Sequence, residues 1–214
     1  MDPNQLADGL IQYLMLIALL TFHEFGHAWT AWKCGDDTAK SLGRVSLNPI
    51  VHIDPIGTIV LPLLMIFLPA SYNQFLVGWA KPVPVNPDNL RNKKFDDILV
   101  TMAGPGMNLI LAIGLIALSK VALIFHSVQA AQLFFDAARL SLRLCFFNLI
   151  PIPPLDGSQV MRVVTGMTWE AYMRFSQFGI IGVIVVLQIP QVKQAVTSAT
   201  DGTLELLCRI FGVV

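Results

Sequence analysis

The chain has 214 residues, 55% of them hydrophobic and only 13% charged, with a mean hydropathy of +0.65 and no net charge. Soluble domains carry about 25% charged residues, so this balance points to a membrane protein. Without a basic excess to neutralise phosphates, nucleic acid is not an expected partner. The three cysteines, Cys34, Cys145 and Cys208, are too far apart for a disulfide scaffold or a thiolate metal site and read as buried free thiols.

In chain order, Met1 to Asp8 offers Asp2 and Asp8 but no Lys or Arg, so the first apolar run reads as a retained anchor rather than a cleaved signal peptide. A span needs about 20 apolar residues, which residues 9–32 supply. Their purely apolar part ends at Phe22 and meets His23-Glu24-Phe25-Gly26-His27. Residues 43–48 alternate up to a turn signal at Pro49 and read as a short strand. Residues 56–70 are apolar but short and contain Pro62 and Pro69. Residues 81–87 hold Pro82, Pro84 and Pro87, which permit only an edge or extended segment.

Residues 98–119, ending at Lys120, form the cleanest span. Residues 130–152 carry Asp136, Arg139 and Arg143 at i, i+3 and i+7, one helical face, which predicts an internal ion-pair network. Residues 175–189 stop at Pro190, and residues 203–214 pair Glu205 with Arg209 as an interfacial amphipathic helix would. Trp29, Trp32 and Trp79 read as interfacial anchors. The expected fold is an all-α polytopic membrane protein of four to six membrane segments with a small membrane-associated β element. We read residues 1–214 as one domain, with a core over about 10–165 and accessory helices over 166–214.

His23-Glu24-Phe25-Gly26-His27 matches H-E-x-x-H. Four residues of helix rotate the chain by about 40° beyond a full turn, so both imidazoles share one face and reach one zinc. Glu24, next to the first, reaches a water at that ion. Ionisable side chains inside a membrane helix are costly, which makes them functional candidates; the competing reading is a polar pore lining without metal. A catalytic zinc takes a third protein ligand and keeps an open position. His52 and His126 remain, but Asp156 is the better candidate. It follows Pro151, Pro153 and Pro154, and broken backbone at membrane depth is tolerated where it lines a cavity. A plain turn at the helix end is the alternative there.

H-E-F-G-H followed downstream by N-L-I-P-I-P-P-L-D-G, with Ala103-Gly104-Pro105-Gly106-Met107-Asn108-Leu109 between them, resembles the site-2 protease family of zinc intramembrane metalloproteases. Residues 48–58 resemble the short bacterial-type members, and no PDZ-like insertion is visible. The resemblance implies one Zn2+ held by His23, His27 and Asp156, with Glu24 as general base. It also implies that Asn108 and Asn148 lie near the substrate or oxyanion. The substrate it implies is a transmembrane protein cut within or beside its membrane segment; the other partner is the lipid bilayer. A catalytically silent membrane binding protein of the same fold is the alternative, and a transporter with a midplane polar site is a second.

Positive charge orients the chain. If residues 56–70 dip in without crossing, one face carries Lys33, Lys40, Arg44, Lys81, Arg91, Lys93 and Lys94, and the opposite loop only Lys120. If they cross, the same residues divide evenly. The positive-inside rule prefers the lopsided case. A multi-pass protein of the plasma membrane, with a re-entrant segment and a metal site open to the cytoplasm, is therefore expected. His52 has two readings at this stage, a group that gates the metal or binds substrate, and a hydrogen-bonded loop histidine.

Overall fold

The computed structural model describes residues 3–67 and 78–213, with side chains from residue 6. Two long helices dominate. Helix α1 is Pro3–Lys33 and α4 is Lys93–Ile124, 31 and 32 residues, or about 46 and 48 Å at 1.5 Å per residue. Their stretches Leu6–Lys33 and Lys93–Ile124 are long and apolar enough to cross a bilayer. Between them lie α2 (Thr38–Ser41), a 3-10 turn at Pro49–His52, a π-helical turn at Pro55–Val60 running into α3 (Leu61–Phe67), and a 3-10 turn at Pro87–Asn89. Beyond α4 come α5 (Val128–Asn148), α6 (Asp156–Thr165), α7 (Trp169–Ser176), α8 (Gly179–Leu187) and α9 (Pro190–Phe211).

Caps explain where α4 begins and ends. The Asn92 side chain accepts from the Phe95 amide, and Asp96 accepts from the Asn92 amide at 2.8 Å, a reciprocal arrangement at the helix start. At the other end His126 takes a left-handed conformation with φ 58°. The Ser127 amide then reaches the Ala122 carbonyl, and α5 folds back along α4. His126 is thus spent on a turn.

Small and polar side chains bring the long helices together, as packing within lipid requires. Ala112, Ile116, Ala138 and Leu142 are fully buried between α4 and α5, joined by Leu204, Leu207 and Cys208 of α9. Ser119 Oγ donates to the Ala131 carbonyl and Ser141 Oγ to the Asn108 carbonyl, tying α4 to α5. Where α1 crosses α4, a Cβ on Gly26 would lie 2.8 Å from the Ala103 carbonyl oxygen. All three cysteines are buried and free, as their spacing indicated.

Several expectations change. Among the described residues there is no strand; residues 43–47 form a turn and bends. A strand needs a partner ladder, and here the Arg44 side chain makes the contacts instead, donating to the carbonyls of Lys81 at 2.6 Å and Pro82 at 3.3 Å. The second apolar run is helical from Pro55, capped by Asp54, through Phe67; residues 68–70 lie outside the described residues. Helix α9 starts at Pro190, well before residue 203, because proline without an amide proton suits the first helical position. The Asp136–Arg139–Arg143 face reaches beyond its own helix: Arg139 pairs with Asp201 of α9 at 2.8 Å, while Asp136 accepts from Gln132. Helices α7 and α8 meet at 58°, and together they are long and apolar enough for one bent span. Glu205 and Arg209 do pair.

The chain leaving α3 returns to where that excursion began. Trp79 donates its amide to the Gly57 carbonyl at 3.2 Å, and Lys81 donates to the His52 carbonyl at 2.8 Å. Thr58 Oγ1 adds a bond to the Trp79 carbonyl at 2.8 Å. Trp79 packs so closely on Gly57 that no Cβ would fit there. Residues 78–86 then run extended to Asn86, whose amide is held by the buried Asp36 carboxylate.

Candidate metal centre

Helix α1 carries His23 and His27 one turn apart and both nearly buried. Their rings stand edge to face with centroids 4.7 Å apart, and their Nε2 atoms are 3.1 Å apart. Helix α6 begins at Asp156, because the prolines after α5 end that helix and turn the chain inward. Asp156 Oδ2 lies 3.2 Å from His23 Nε2, and Oδ1 lies 3.4 Å from His27 Nε2. Residues 133 positions apart in sequence therefore meet at one point.

These spacings permit a direct test of fit. Zinc bonds of about 2.0–2.1 Å at tetrahedral angles put neighbouring ligand atoms about 3.3–3.4 Å apart. The Nε2–Nε2 separation of 3.1 Å is close to that edge length, and each carboxylate oxygen lies a similar distance from one imidazole, Oδ2 from His23 and Oδ1 from His27. The donors are also the right kind. His27 Nδ1 lies 2.8 Å from the Val100 carbonyl, which only accepts, so the ring proton sits on Nδ1 and the Nε2 lone pair turns to the centre. Lone pairs and a carboxylate converging in a buried site offer ligands to a cation. Two imidazoles and one carboxylate form a zinc donor set with an open position, and the residues fit that ion.

Gly104 of α4 makes the space. A Cβ built there would lie 2.6 Å from His23 Nε2 and closer still to His27 Nε2, in the path of both donor atoms. Glu24, also buried, lines a cavity of about 890 Å³ together with His23, His27 and Asp156. The remaining wall is mostly apolar, from α1, α3, residues 78–87, α5 and α8. Asn148 is on that wall, its Nδ2 donating to the Leu144 carbonyl at 2.9 Å. Asn108 is elsewhere: it is fully buried behind His23, with Nδ2 3.1 Å from His23 Nδ1.

His52 is resolved in favour of the loop reading. It is almost fully buried, Nε2 donates to the Ser46 carbonyl at 2.8 Å, and Nδ1 faces Arg44 Nη2 at 3.4 Å. Burial, with the Arg44 guanidinium beside it, holds its pKa below the ordinary histidine value.

Other residues in the frame escaped sequence reasoning. Arg162 of α6 pairs with Asp97 of α4, and both are buried. The guanidinium also lies 5.2 Å from the Trp169 ring and 5.9 Å from the Tyr172 ring of α7. Ser158 and Tyr172 share a buried hydroxyl bond at 2.9 Å. This cluster anchors α6, and hence Asp156, to α4 and α7. The one available signal was a lone arginine six residues after Asp156, on a short helix with no nearby acidic partner.

Fold and centre together define a helical membrane protein built around a metallohydrolase site. Residues 11–132 and 122–190 match the model of Peptidase family M50. A Bacillus subtilis (strain 168) protein named "Putative zinc metalloprotease YwhC" is 42% identical over 162 residues, 72% of this chain and 69% of that protein. "Putative zinc metalloprotease Rip2" of Mycolicibacterium smegmatis is 35% identical over 143 residues, 64% of this chain and 51% of that one. Its namesake in Mycobacterium tuberculosis (strain ATCC 25618 / H37Rv) is 38% identical over 152 residues, 68% and 55% of the two chains. The matches to the two mycobacterial proteins thus span about half of their length. No solved structure matches the chain. The chain belongs to Peptidase family M50, and it is a metalloprotease whose donor set fits zinc.

Proposed function

We propose that this protein is an intramembrane zinc endopeptidase that hydrolyses a peptide bond within or beside a transmembrane segment of another membrane protein. One observation carries the reading: two imidazoles and a carboxylate whose ligand atoms lie within 4.8 Å of one another beside Glu24, on the wall of a largely apolar cavity in a membrane-helix fold. Zinc, when bound by His23, His27 and Asp156, supplies the Lewis acidity that polarises the scissile carbonyl and acidifies water to a pKa near ~7. Glu24 takes the proton of the attacking water and delivers it to the leaving amine. Asn148, on the cavity wall and with an amide proton beyond its Leu144 bond, is the donor for the developing oxyanion.

A transmembrane helix hides its amides in its own hydrogen bonds, so the substrate unwinds before attack and finds other partners for them. Residues 83–85 support that step. They run extended along the cavity, and among the described residues the amides of Val83 and Val85 donate no hydrogen bond. Addition of the substrate as a strand along this edge replaces what it loses. The orientation reading stands on the same segment. Bonds from Trp79 to Gly57 and from Lys81 to His52 support an excursion that dips in without crossing, with the lysine-rich and arginine-rich face in the cytoplasm.

The test is a Glu24→Gln variant of the purified protein, assayed for metal and for cleavage of a model transmembrane substrate. Stoichiometric zinc with cleavage reduced by about 10²–10⁴ is the expected result. Unchanged cleavage would end the reading, and joint loss of metal and cleavage would make Glu24 a structural residue.

A further inference from the structure

The two metal-facing imidazoles are held differently, and the difference concerns Asn108. His27 is settled by the Val100 carbonyl, which leaves one choice of tautomer. His23 Nδ1 instead faces a primary amide, which offers a donor at one end and an acceptor at the other. With Nδ2 toward the ring, as in this structure, Nδ1 accepts, the ring proton moves to Nε2, and that proton points into the metal position. The same orientation leaves Asn108 Oδ1 buried without a hydrogen-bond partner. A half-turn of the amide, whose ends are equal in size, gives Oδ1 a partner and frees Nε2. Oδ1 then accepts from Nδ1–H, and the Nε2 lone pair is free for the ion.

We propose that Asn108 is the positioning residue for His23: in the metal-bound protein its amide oxygen accepts the Nδ1 proton and holds Nε2 toward zinc. Outer partners of this kind fix ring orientation and raise ligand basicity, and their loss typically weakens metal binding by about 10–100-fold. Position 108 is suited to the task. The residue is fully exposure-free, its backbone carbonyl is held by Ser141 of α5, and Gly104 one turn earlier leaves room for the ion. Asn108 thus acts from behind the ligand and does not touch substrate. The inference rests on the zinc-site reading above.

The experiment measures zinc affinity of the full-length protein in detergent by competition with a chelator. Asn108→Leu keeps the side-chain size and removes the acceptor; its zinc Kd is expected to rise by about 10–100-fold. Asn108→Asp keeps an oxygen toward Nδ1 and is expected to stay within about threefold of wild type, the rescue that a mere packing role would not give. Asn108→Ala, which fits any packing, should follow the leucine variant and serves if that one does not fold. Nitrogen-15 spectra of histidine-labelled, zinc-loaded wild type should show the His23 proton on Nδ1. Equal zinc affinity in Asn108→Leu and wild type, an aspartate variant as weak as the leucine one, or a proton on Nε2 would overturn the proposal. His23→Ala retaining wild-type affinity would instead overturn the zinc site itself.

Discussion

Two regions of this protein place polar side chains between helices and dispose of them in opposite ways. Between α5 and α9 opposite charges cancel: Arg139 meets Asp201, both about two-fifths exposed, and nothing further is needed to balance them. Where α1, α4 and α6 meet, two imidazole nitrogens and a carboxylate face one another as a set of candidate metal ligands. A pair of the first kind is complete in itself. A set of the second kind is held in place by Val100 and Asn108 behind the rings and by the Asp97–Arg162 clasp on the helix that carries the aspartate. A site held in this way is defined as much by its supports as by its ligands.

The contrast can be broken at its strongest point by adding one carbon. Gly104→Ala places a methyl group in the path of both Nε2 atoms, and the expected loss of zinc affinity exceeds the ~100-fold that removal of an outer partner costs. Metal content after gel filtration reads it, with helicity by circular dichroism unchanged. Next is the clasp. Arg162→Met strands a buried Asp97 carboxylate, a change worth about 3–5 kcal/mol, and thermal unfolding should show it. The double variant Asp97→Leu/Arg162→Met should recover most of that loss, since no charge is left unpaired.

Asp36 provides a smaller effect with a pH signature. Burial pushes its carboxyl up, but hydrogen bonds from Thr38, Asn89 and Asn86 outweigh burial and hold the pKa below the usual aspartate range. A depressed folded pKa means that its contribution is complete above the unfolded value of about 3.9 and is lost as pH falls through the folded one. Asp36→Asn should therefore lower stability by about 1.5–3 kcal/mol at neutral pH and flatten the acid limb of a Tm profile. The smallest effect sharpens the other side of the comparison: Asp201→Asn should cost less than about 1 kcal/mol and leave zinc binding unchanged.

How much of this could be read from residues alone follows from the range of each signal. His23, Glu24 and His27 were legible because helical periodicity sets their geometry within five residues. Asp156 was legible because three prolines in an apolar stretch need a reason. Asn108 was expected near the substrate or oxyanion and instead lies behind His23, because the side of His23 it occupies depends on the rotation of α4 about its axis, which local sequence does not encode. Arg162 and Asp97 are 65 residues apart, and neither has a pattern that names its partner. The strand over residues 43–48 failed for a related reason: alternation specifies a pleat only where a ladder exists to receive it. Helix α9 was truncated because Pro190 was read as a stop, although proline also starts helices.

The return of the chain at Gly57 and Trp79 has a last consequence. Since both ends of that excursion are fastened to each other beside the cavity, the residues between them form a closed loop whose span is independent of its contour length. Loop-closure entropy grows only as the logarithm of length, about 0.6 kcal/mol per doubling. Within that closed loop α3 gives Leu61 and Met65 to the cavity wall, so the position of an insertion matters more than its length. One placed ahead of α3 shifts the wall, whereas the entropy of the added residues is the smaller term.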